Sequence, residues 1–296
     1  MRVAITGASG FIGKAVLEEL IRYEGIEILA LSRNCISNIT ESRVEWKKTD
    51  YTIESLEDIM DNIDVIIHLA AVRGTQGVIS DYYDNEKITE NLLIVMAKKS
   101  ISHIVFGSSI AVYSDTTRIP WNELMPLSPK TLYGITKASC EYLCAFYAKK
   151  YGYTYNILRI AQVLGVEERR KGMMNNFIKL AHEGKKLTVV GESNARRQYI
   201  YIQDLAEAIA VCAIQKSGES KIINIGMQVA YTNLEIAEIV NKVFENKVSI
   251  EYQQEKNENI ESSYMDIELY MKYLNLYPKT LDEALFSIRE EMVKSV

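Results

Sequence analysis

A doubly wound α/β domain on a parallel sheet, followed by a smaller C-terminal lobe, is the fold class the sequence predicts. Three observations carry it. Short apolar runs without polar alternation recur through the first half, as strands buried on both faces require. Stretches of helical periodicity separate them, the βαβ rhythm of a parallel sheet with helices on each side. Gly7, Gly10 and Gly13 stand at the first strand-to-helix turn.

Taken in order, "RVAI" (2–5) is a buried strand, and a helix carrying Phe11, Ile12, Val16, Leu17 and Leu20 follows it. "IEILAL" (26–31) reads as the second strand, and after "SLEDIM" (55–60) "DVIIHLA" (64–70) is the next. A helix spans about 85–99, then "HIVFGSS" (103–109) forms a strand. A helix after Tyr133 leads into the strand "YNILRIA" (155–161). Beyond about residue 165 the rhythm breaks, and 166–201 reads as irregular, rich in Arg, Lys and Asn. "DLAEAIAVCAIQ" (204–215) is a helix and "KIINIG" (221–226) a buried strand, with helices near 232–245 and 281–293 and a turn at "YPKT" (277–280). The expected division is a dinucleotide-type domain over 1–165, to which 202–226 returns, and a second lobe from 166–201 and 227–296. That lobe is expected against the carboxyl edge of the sheet, where open α/β sheets take ligands.

With 296 residues, 48% hydrophobic and 25% charged, the chain can bury a large core and has an ordinary soluble composition. A formal net charge of −5 argues against a nucleic-acid partner, which would need a basic face. The chain opens on Arg2 and a strand, with no signal-peptide core and no membrane-length apolar run, so a cytoplasmic protein without a membrane partner is expected. Cys35, Cys140, Cys144 and Cys212 form no CxxC pair and read as small apolar fillers, and the three histidines, His68, His103 and His182, support no metal cluster.

The glycines spell GxxGxxG between a strand and a helix. In that place the first permits a tight turn, the second lets backbone approach a pyrophosphate, and the third lets helix and strand pack closely. Amide groups at the helix start, at Phe11 and Ile12, face the anion. This reads as a Rossmann-type dinucleotide site, with a tight turn that holds no ligand as the alternative. The end of the second strand, Ser32-Arg33-Asn34, should read the adenosine ribose. An acidic residue there would mark NAD; Arg33 offers a planar cation for a 2′-phosphate and favours NADP, while an Arg33 that only stacks on adenine would admit NAD.

"LYGITK" (132–137) places Tyr133 and Lys137 four apart, on one helix face. A tyrosine hydroxyl is a poor base at neutral pH, and a nearby ammonium and an oxidised nicotinamide both favour its phenolate. The strand of "FGSSIAVYS" (106–114) runs into Ser108-Ser109, 24 residues before the tyrosine, where a hydroxyl can hold a substrate oxygen.

On these motifs the chain resembles the extended short-chain dehydrogenase/reductase family, in its NAD-dependent epimerase/dehydratase branch, along essentially its whole length. "TGASGFIG" is similar to the family's fingerprint, and Asp50, followed by Tyr51, falls on the Asp that contacts adenine. "DVIIHLAA" (64–71) is similar to the strand whose end, here Leu69, Ala70 and Ala71, lines the cofactor, and Asn85 with Thr89 matches the following helix. Ser109, Tyr133 and Lys137 fall on the catalytic positions. "GESNARRQYIYIQDLAEAI" (191–209) resembles a substrate segment in which Arg197 would bind a diphosphate, with Gln198 in place of its Asp, and Asn176 falls where the family holds the nucleotide.

The resemblance implies a nucleotide-diphosphate sugar as substrate and a homodimer built on the helices near 85–99 and 133–150. Tyr133 would accept a sugar hydroxyl proton as hydride passes to the nicotinamide, Lys137 would hold the nicotinamide ribose, and Ser109 would fix the sugar oxygen. Ile110-Ala111 stand where 4,6-dehydratases carry an Asp-Glu pair, so dehydration is not expected. "LRIAQVLG" (158–165) lacks the usual aromatic and Asn, and "ESSYMD" (261–266) lacks an Arg that many epimerases place there. Three readings stand: an epimerase at C4, an NADPH-dependent keto-sugar reductase, and a non-catalytic dinucleotide-binding regulator.

Overall fold

The computed structural model describes residues 1–34, 41–74, 76–166, 168, 172–191, 193–215, 218–253 and 261–294. Cys35 and the basic run Arg169, Arg170 and Lys171 lie outside them. The chain forms two compact units, one of residues 1–114, 123–160 and 205–223, the other of 115–122, 161–204 and 224–296.

The first unit opens with β1 (Arg2–Thr6), α1 (Phe11–Ile21), β2 (Glu27–Ser32), β3 (Val44–Lys48), α2 (Ile53–Glu57) and β4 (Val65–His68). It continues with α3 (Tyr83–Lys98), β5 (His103–Gly107), α4 (Leu132–Tyr151) and β6 (Thr154–Ile160). In chain order there follow β7 (Gln162–Leu164), α5 (Met173–His182), β8 (Thr188–Val190), β9 (Arg196–Arg197), β10 (Tyr199–Tyr201), α6 (Ile202–Gln215) and β11 (Lys221–Ile225). The last elements are β12 (Tyr231–Thr232), α7 (Asn233–Val243), β13 (Glu251–Gln253), α8 (Glu268–Leu274) and α9 (Leu281–Lys294).

Seven strands form one sheet in the order β11-β6-β5-β4-β1-β2-β3. Its strand order reverses at β1, which pairs in parallel with both β2 and β4. Such a reversal leaves a crevice at the carboxyl ends of the strands. The register aligns those ends: Thr6 lies opposite Leu31 and His68, His68 opposite Phe106, and Phe106 opposite Ile157. Each of the loops that follow therefore starts from the same level. The strands are apolar on both faces because both are covered: on one face Ala4, Leu29, Ile66 and Phe106 join Leu92, Leu93, Met96 and Cys144 in one buried cluster, and the alternating Val3, Ile5, Ile28, Ile67 and Val105 are buried as well.

Local signals set the helix ends. Thr52 and Thr131 accept the backbone N–H groups of Ser55 and Gly134 at the starts of α2 and α4, and α4 stops at Gly152 in a left-handed conformation. Besides the short strands β7–β10, β12 and β13 and the helix α8, none of which was expected, two elements show why the reading of the sequence departs from the fold. β3 was not among the expected strands, because at the sheet edge only part of "VEWKK" is covered and no continuous apolar run arises. The stretch read as irregular holds α5, whose Met174, Phe177, Ile178 and Ala181 form a helical apolar face.

Within the second unit, β7 pairs with β10, β9 antiparallel with β12, and β8 with β13. Gln198 is buried and explains its place where the resemblance has an acid. Its amide nitrogen, Nε2, donates to the carbonyls of Met227 (2.7 Å) and Met265 (3.0 Å), and its Oε1 accepts the N–H of Met265. A carboxylate could not donate to either carbonyl.

Candidate active site

At the end of β1, Gly7 adopts a φ of +68°, and a Cβ there would stand 2.8 Å from the backbone nitrogen of Ala70. A Cβ on Gly13 would stand 2.2 Å from the Gly7 carbonyl oxygen, so neither position admits a side chain. Gly10 caps α1 with no side-chain hydrogen bond, which leaves the amides of Phe11 and Ile12 at an uncapped helix start. Turn, cradle and free amides together suit an anionic diphosphate approaching the backbone.

The residues expected to face the adenosine end fall into two kinds. Ser32 is buried, and its hydroxyl pairs with that of Ser9 at 2.7 Å. Arg33 projects outward, its guanidinium 3.7 Å from the carboxylate of Asp84. Asp50 is exposed and accepts both the N–H and the hydroxyl of Thr52, bonds that hold its carboxyl below the ordinary range. Tyr51 turns inward: it is buried with φ at +63°, accepts the Gly7 N–H and donates to the Leu31 carbonyl, each at 3.2 Å. Burial pushes its phenol up, since the anion would lose water there. Leu69, Ala70 and Ala71 run on from β4 half-buried, and Asn85 on α3 is fully enclosed beneath them.

Ser109 follows β5 and begins a short 3-10 turn over Ile110–Val112, its hydroxyl accepting the N–H of Ala111. Tyr133 and Lys137 lie one turn apart on α4. Lys137 is buried, and its ammonium donates to the Gly107 carbonyl at 2.7 Å, 4.6 Å from the centre of the Phe106 ring and 5.9 Å from that of Tyr133. Strand β5 thus anchors the lysine at its own last residue, two before the serine.

Gly134 brings the two halves together and was not singled out from the sequence. A Cβ on it would stand 2.2 Å from the Ala111 carbonyl oxygen, so only glycine lets α4 close on the turn after Ser109. The signal was the glycine beside Tyr133 in "LYGITK".

Beneath the site runs a buried ionic network that spacing alone also did not show. Glu141, one turn past Lys137, takes two hydrogen bonds from Arg159 Nε and one of 2.7 Å from its Nη2. Ser108 donates to Glu141 at 2.5 Å, and Arg159 also reaches the Tyr113 hydroxyl. Burial pushes the Tyr113 phenol up to about 12, against the opposing pull of Arg159. With every polar atom of the ion pair bonded, the network pins Ser108, the neighbour of Ser109, to α4.

The profile of the NAD dependent epimerase/dehydratase family matches residues 3–226. The chain belongs to that family. Its likeness to solved structures includes the UDP-N-acetylglucosamine 4-epimerase from Bacillus cereus, at 34% identity over 99% of each chain and a TM-score of 0.89. Among curated relatives it is 28% identical to a putative UDP-glucose 4-epimerase of Methanocaldococcus jannaschii, over 90% of each sequence. It is 26% identical to a dTDP-4-dehydro-6-deoxyglucose reductase of Escherichia coli, over 99% of this chain and 97% of the relative. The protein is an enzyme of the sugar epimerase or reductase kind that uses a nicotinamide dinucleotide, and the cradle at Gly7, Gly10 and Gly13 fits that group.

In the second unit, Arg197 lies on β9 opposite Tyr231 on one side and Ser263 on the other. The segment "ESSYMD" is therefore a backbone neighbour of Arg197. The adjacent Arg196 is committed internally to Glu235 and the Ala230 carbonyl, whereas the Arg197 guanidinium makes no hydrogen bond or ion pair among the described residues. Asn176 is exposed in the first turns of α5, opposite its apolar face. Among the described residues no group of three His, Cys, Asp or Glu could hold a metal ion, and no helix is long and apolar enough to cross a membrane.

Proposed function

We propose that this enzyme is an NAD(P)-dependent nucleotide-sugar 4-epimerase. The observation that carries the reading is the grouping of Ser109, Tyr133 and Lys137 around one strand end and one helix, with Ile110 and Ala111 at the turn between them. A proton and a hydride can be exchanged by such a set, but water cannot be eliminated across two carbons without further acids there. The full-length likeness to 4-epimerases supports it.

Bound dinucleotide would supply the hydride acceptor and, in the reverse direction, the donor. Tyr133 takes the proton from the sugar hydroxyl at C4 and returns it after the keto-sugar has turned over. Lys137, fixed by Gly107, sets positive charge near the phenol and holds the nicotinamide ribose. Ser109 hydrogen-bonds the sugar oxygen. Asn176 and Arg197 bind the nucleotide and its diphosphate. Gly7, Gly10, Phe11, Ile12, Gly13, Ser32, Arg33, Asp50, Tyr51, Leu69, Ala70, Ala71 and Asn85 make up the dinucleotide site, directly or by supporting the residues that touch it.

Arg33 favours NADP, because a 2′-phosphate can take the place that Asp84 holds beside the guanidinium. The same arginine supports a second reading, an NADPH-dependent reductase of a nucleotide-linked 4-keto sugar, since net reduction consumes NADPH. A homodimer is part of the proposal: Ile135, Tyr142 and Phe146 leave an exposed apolar stripe on α4.

Product analysis with UDP-glucose and UDP-N-acetylglucosamine, with and without added cofactor, tests the reading. Interconversion of C4 epimers without cofactor consumption is expected. Stoichiometric NADPH oxidation with a keto-sugar, and no epimer, would favour the reductase. Tyr133→Phe should cut turnover by about 10² or more while dinucleotide binding survives; a variant with the parent rate would remove Tyr133 from its role.

A further inference from the structure

His68, at the end of β4, is fully enclosed, and both ring nitrogens are engaged. Nδ1 lies 2.8 Å from the Thr6 hydroxyl and Nε2 lies 3.0 Å from the Thr89 hydroxyl. Donor counting fixes which way these bonds run. The Thr6 oxygen already accepts two backbone N–H groups, those of Leu69 and Ala70, each at 3.1 Å. Its two lone pairs are spent, so its hydrogen goes to Nδ1, which must be bare. A neutral ring then carries its proton on Nε2 and donates to Thr89. The Thr89 hydrogen goes on to the Asn85 carbonyl at 2.7 Å.

The relay ends on the same loop it began on, and also on the catalytic helix. Asn85 Oδ1 accepts the Val72 N–H at 2.7 Å, and its Nδ2 donates to the Val72 carbonyl and to the Thr136 hydroxyl, both at 3.0 Å. Thr136 in turn donates to the Tyr133 carbonyl at 3.0 Å. Residues 69–72 thus have the amides of Leu69, Ala70 and Val72 held from beneath, and this is the segment against which Gly7 packs.

We propose that His68, as a neutral ring protonated on Nε2, is a positioning residue for the dinucleotide, acting through Thr6 and Thr89 to hold residues 69–72. Burial accounts for the ring staying neutral, with the Lys137 ammonium adding to it. The proposal rests on the reading of 69–72 as a wall of the dinucleotide site, but on no assignment of sugar or reaction.

The test uses the full chain without sugar substrate. Nitrogen NMR of the ¹⁵N-histidine-labelled protein should show a neutral Nε2–H ring for His68; an Nδ1–H ring would overturn the relay. Thr89→Val keeps shape and removes the hydroxyl, and should weaken NAD or NADP about tenfold by calorimetry, the scale of one buried hydrogen bond. Thr89→Ser should restore the parent affinity. His68→Phe should weaken the dinucleotide at least as much, and adding Thr89→Val to it should cost nothing more, since both interrupt one chain. If His68→Phe does not fold, Thr89→Val decides alone. Dinucleotide affinity within twofold of the parent in Thr89→Val, with only the melting temperature lowered, would reduce the relay to a structural element and overturn the proposal. Failure of the epimerase reading would leave these dinucleotide affinities untouched.

Discussion

Gly134 lies so close to Ala111 that a methyl group on its Cα would stand 2.2 Å from that residue's carbonyl oxygen. The contact joins the helix of Tyr133 to the turn of Ser109. Gly134→Ala must push the two apart, and a displacement of about 1 Å can cost roughly 10²-fold in rate. Turnover should fall by at least tenfold while dinucleotide affinity changes little. Steady-state kinetics beside a calorimetric titration would show it, and an alanine variant with full activity would contradict the contact's role.

Arg33 and Asp84 give a paired expectation. Arg33→Ala should weaken NADP more than NAD by about 1.5–3 kcal/mol, the range for a charged hydrogen bond. Asp84→Asn should do the opposite, tightening NADP by removing the competing carboxylate 3.7 Å away. Affinities of both cofactors for both variants decide; equal changes for NAD and NADP would mean that Arg33 only stacks on adenine.

Arg197→Met keeps most of the side chain's length and removes its charge. If Arg197 holds the diphosphate, KM for the nucleotide sugar should rise strongly. Some kcat should be lost as well, because remote binding energy also orients the reacting carbon. Melting temperature and dinucleotide affinity should stay near the parent values. A variant with lowered melting temperature and unchanged KM would assign Arg197 to the fold.

His68 makes a statement about pH. Burial moves its pKa from the ordinary 6.5 down to about 3. Below pH 6.5 the unfolded chain takes up a proton that the folded chain refuses, so this group's contribution to stability falls as pH drops towards 3. The loss is at most about 1.4 kcal/mol per pH unit. Urea midpoints measured from pH 7 to 4.5 should fall less steeply in His68→Phe than in the parent. A folded-state imidazole titrating near 6.5 would refute the expectation.

Much of this is legible in the amino-acid sequence. Strands such as "DVIIHLA" announce themselves because burial on both faces demands an unbroken apolar run, and the YxxxK spacing puts Tyr133 and Lys137 on one face by helix geometry alone. β3 stayed hidden because an edge strand needs no such run. α5 did carry a helical apolar pattern, obscured by the neighbouring Arg, Lys and Asn. The support beneath the site was illegible for another reason. Lys137 is held by a backbone carbonyl 30 residues upstream, and Arg159 meets Glu141 across an element boundary. No sequence spacing encodes which carbonyl or carboxylate a folded chain brings near.

The chain passes between its two units after residues 114, 122, 160, 204 and 223. That interleaving has a consequence in time. During synthesis β6 emerges long before β11, its neighbour at the end of the sheet, with the whole of the second unit's segment 161–204 made in between. Until then one side of β6 lacks the strand it will finally meet, an open edge on a nascent polypeptide. The nascent first unit therefore stays unfinished at one margin while the long second-unit segment, 161–204, is translated.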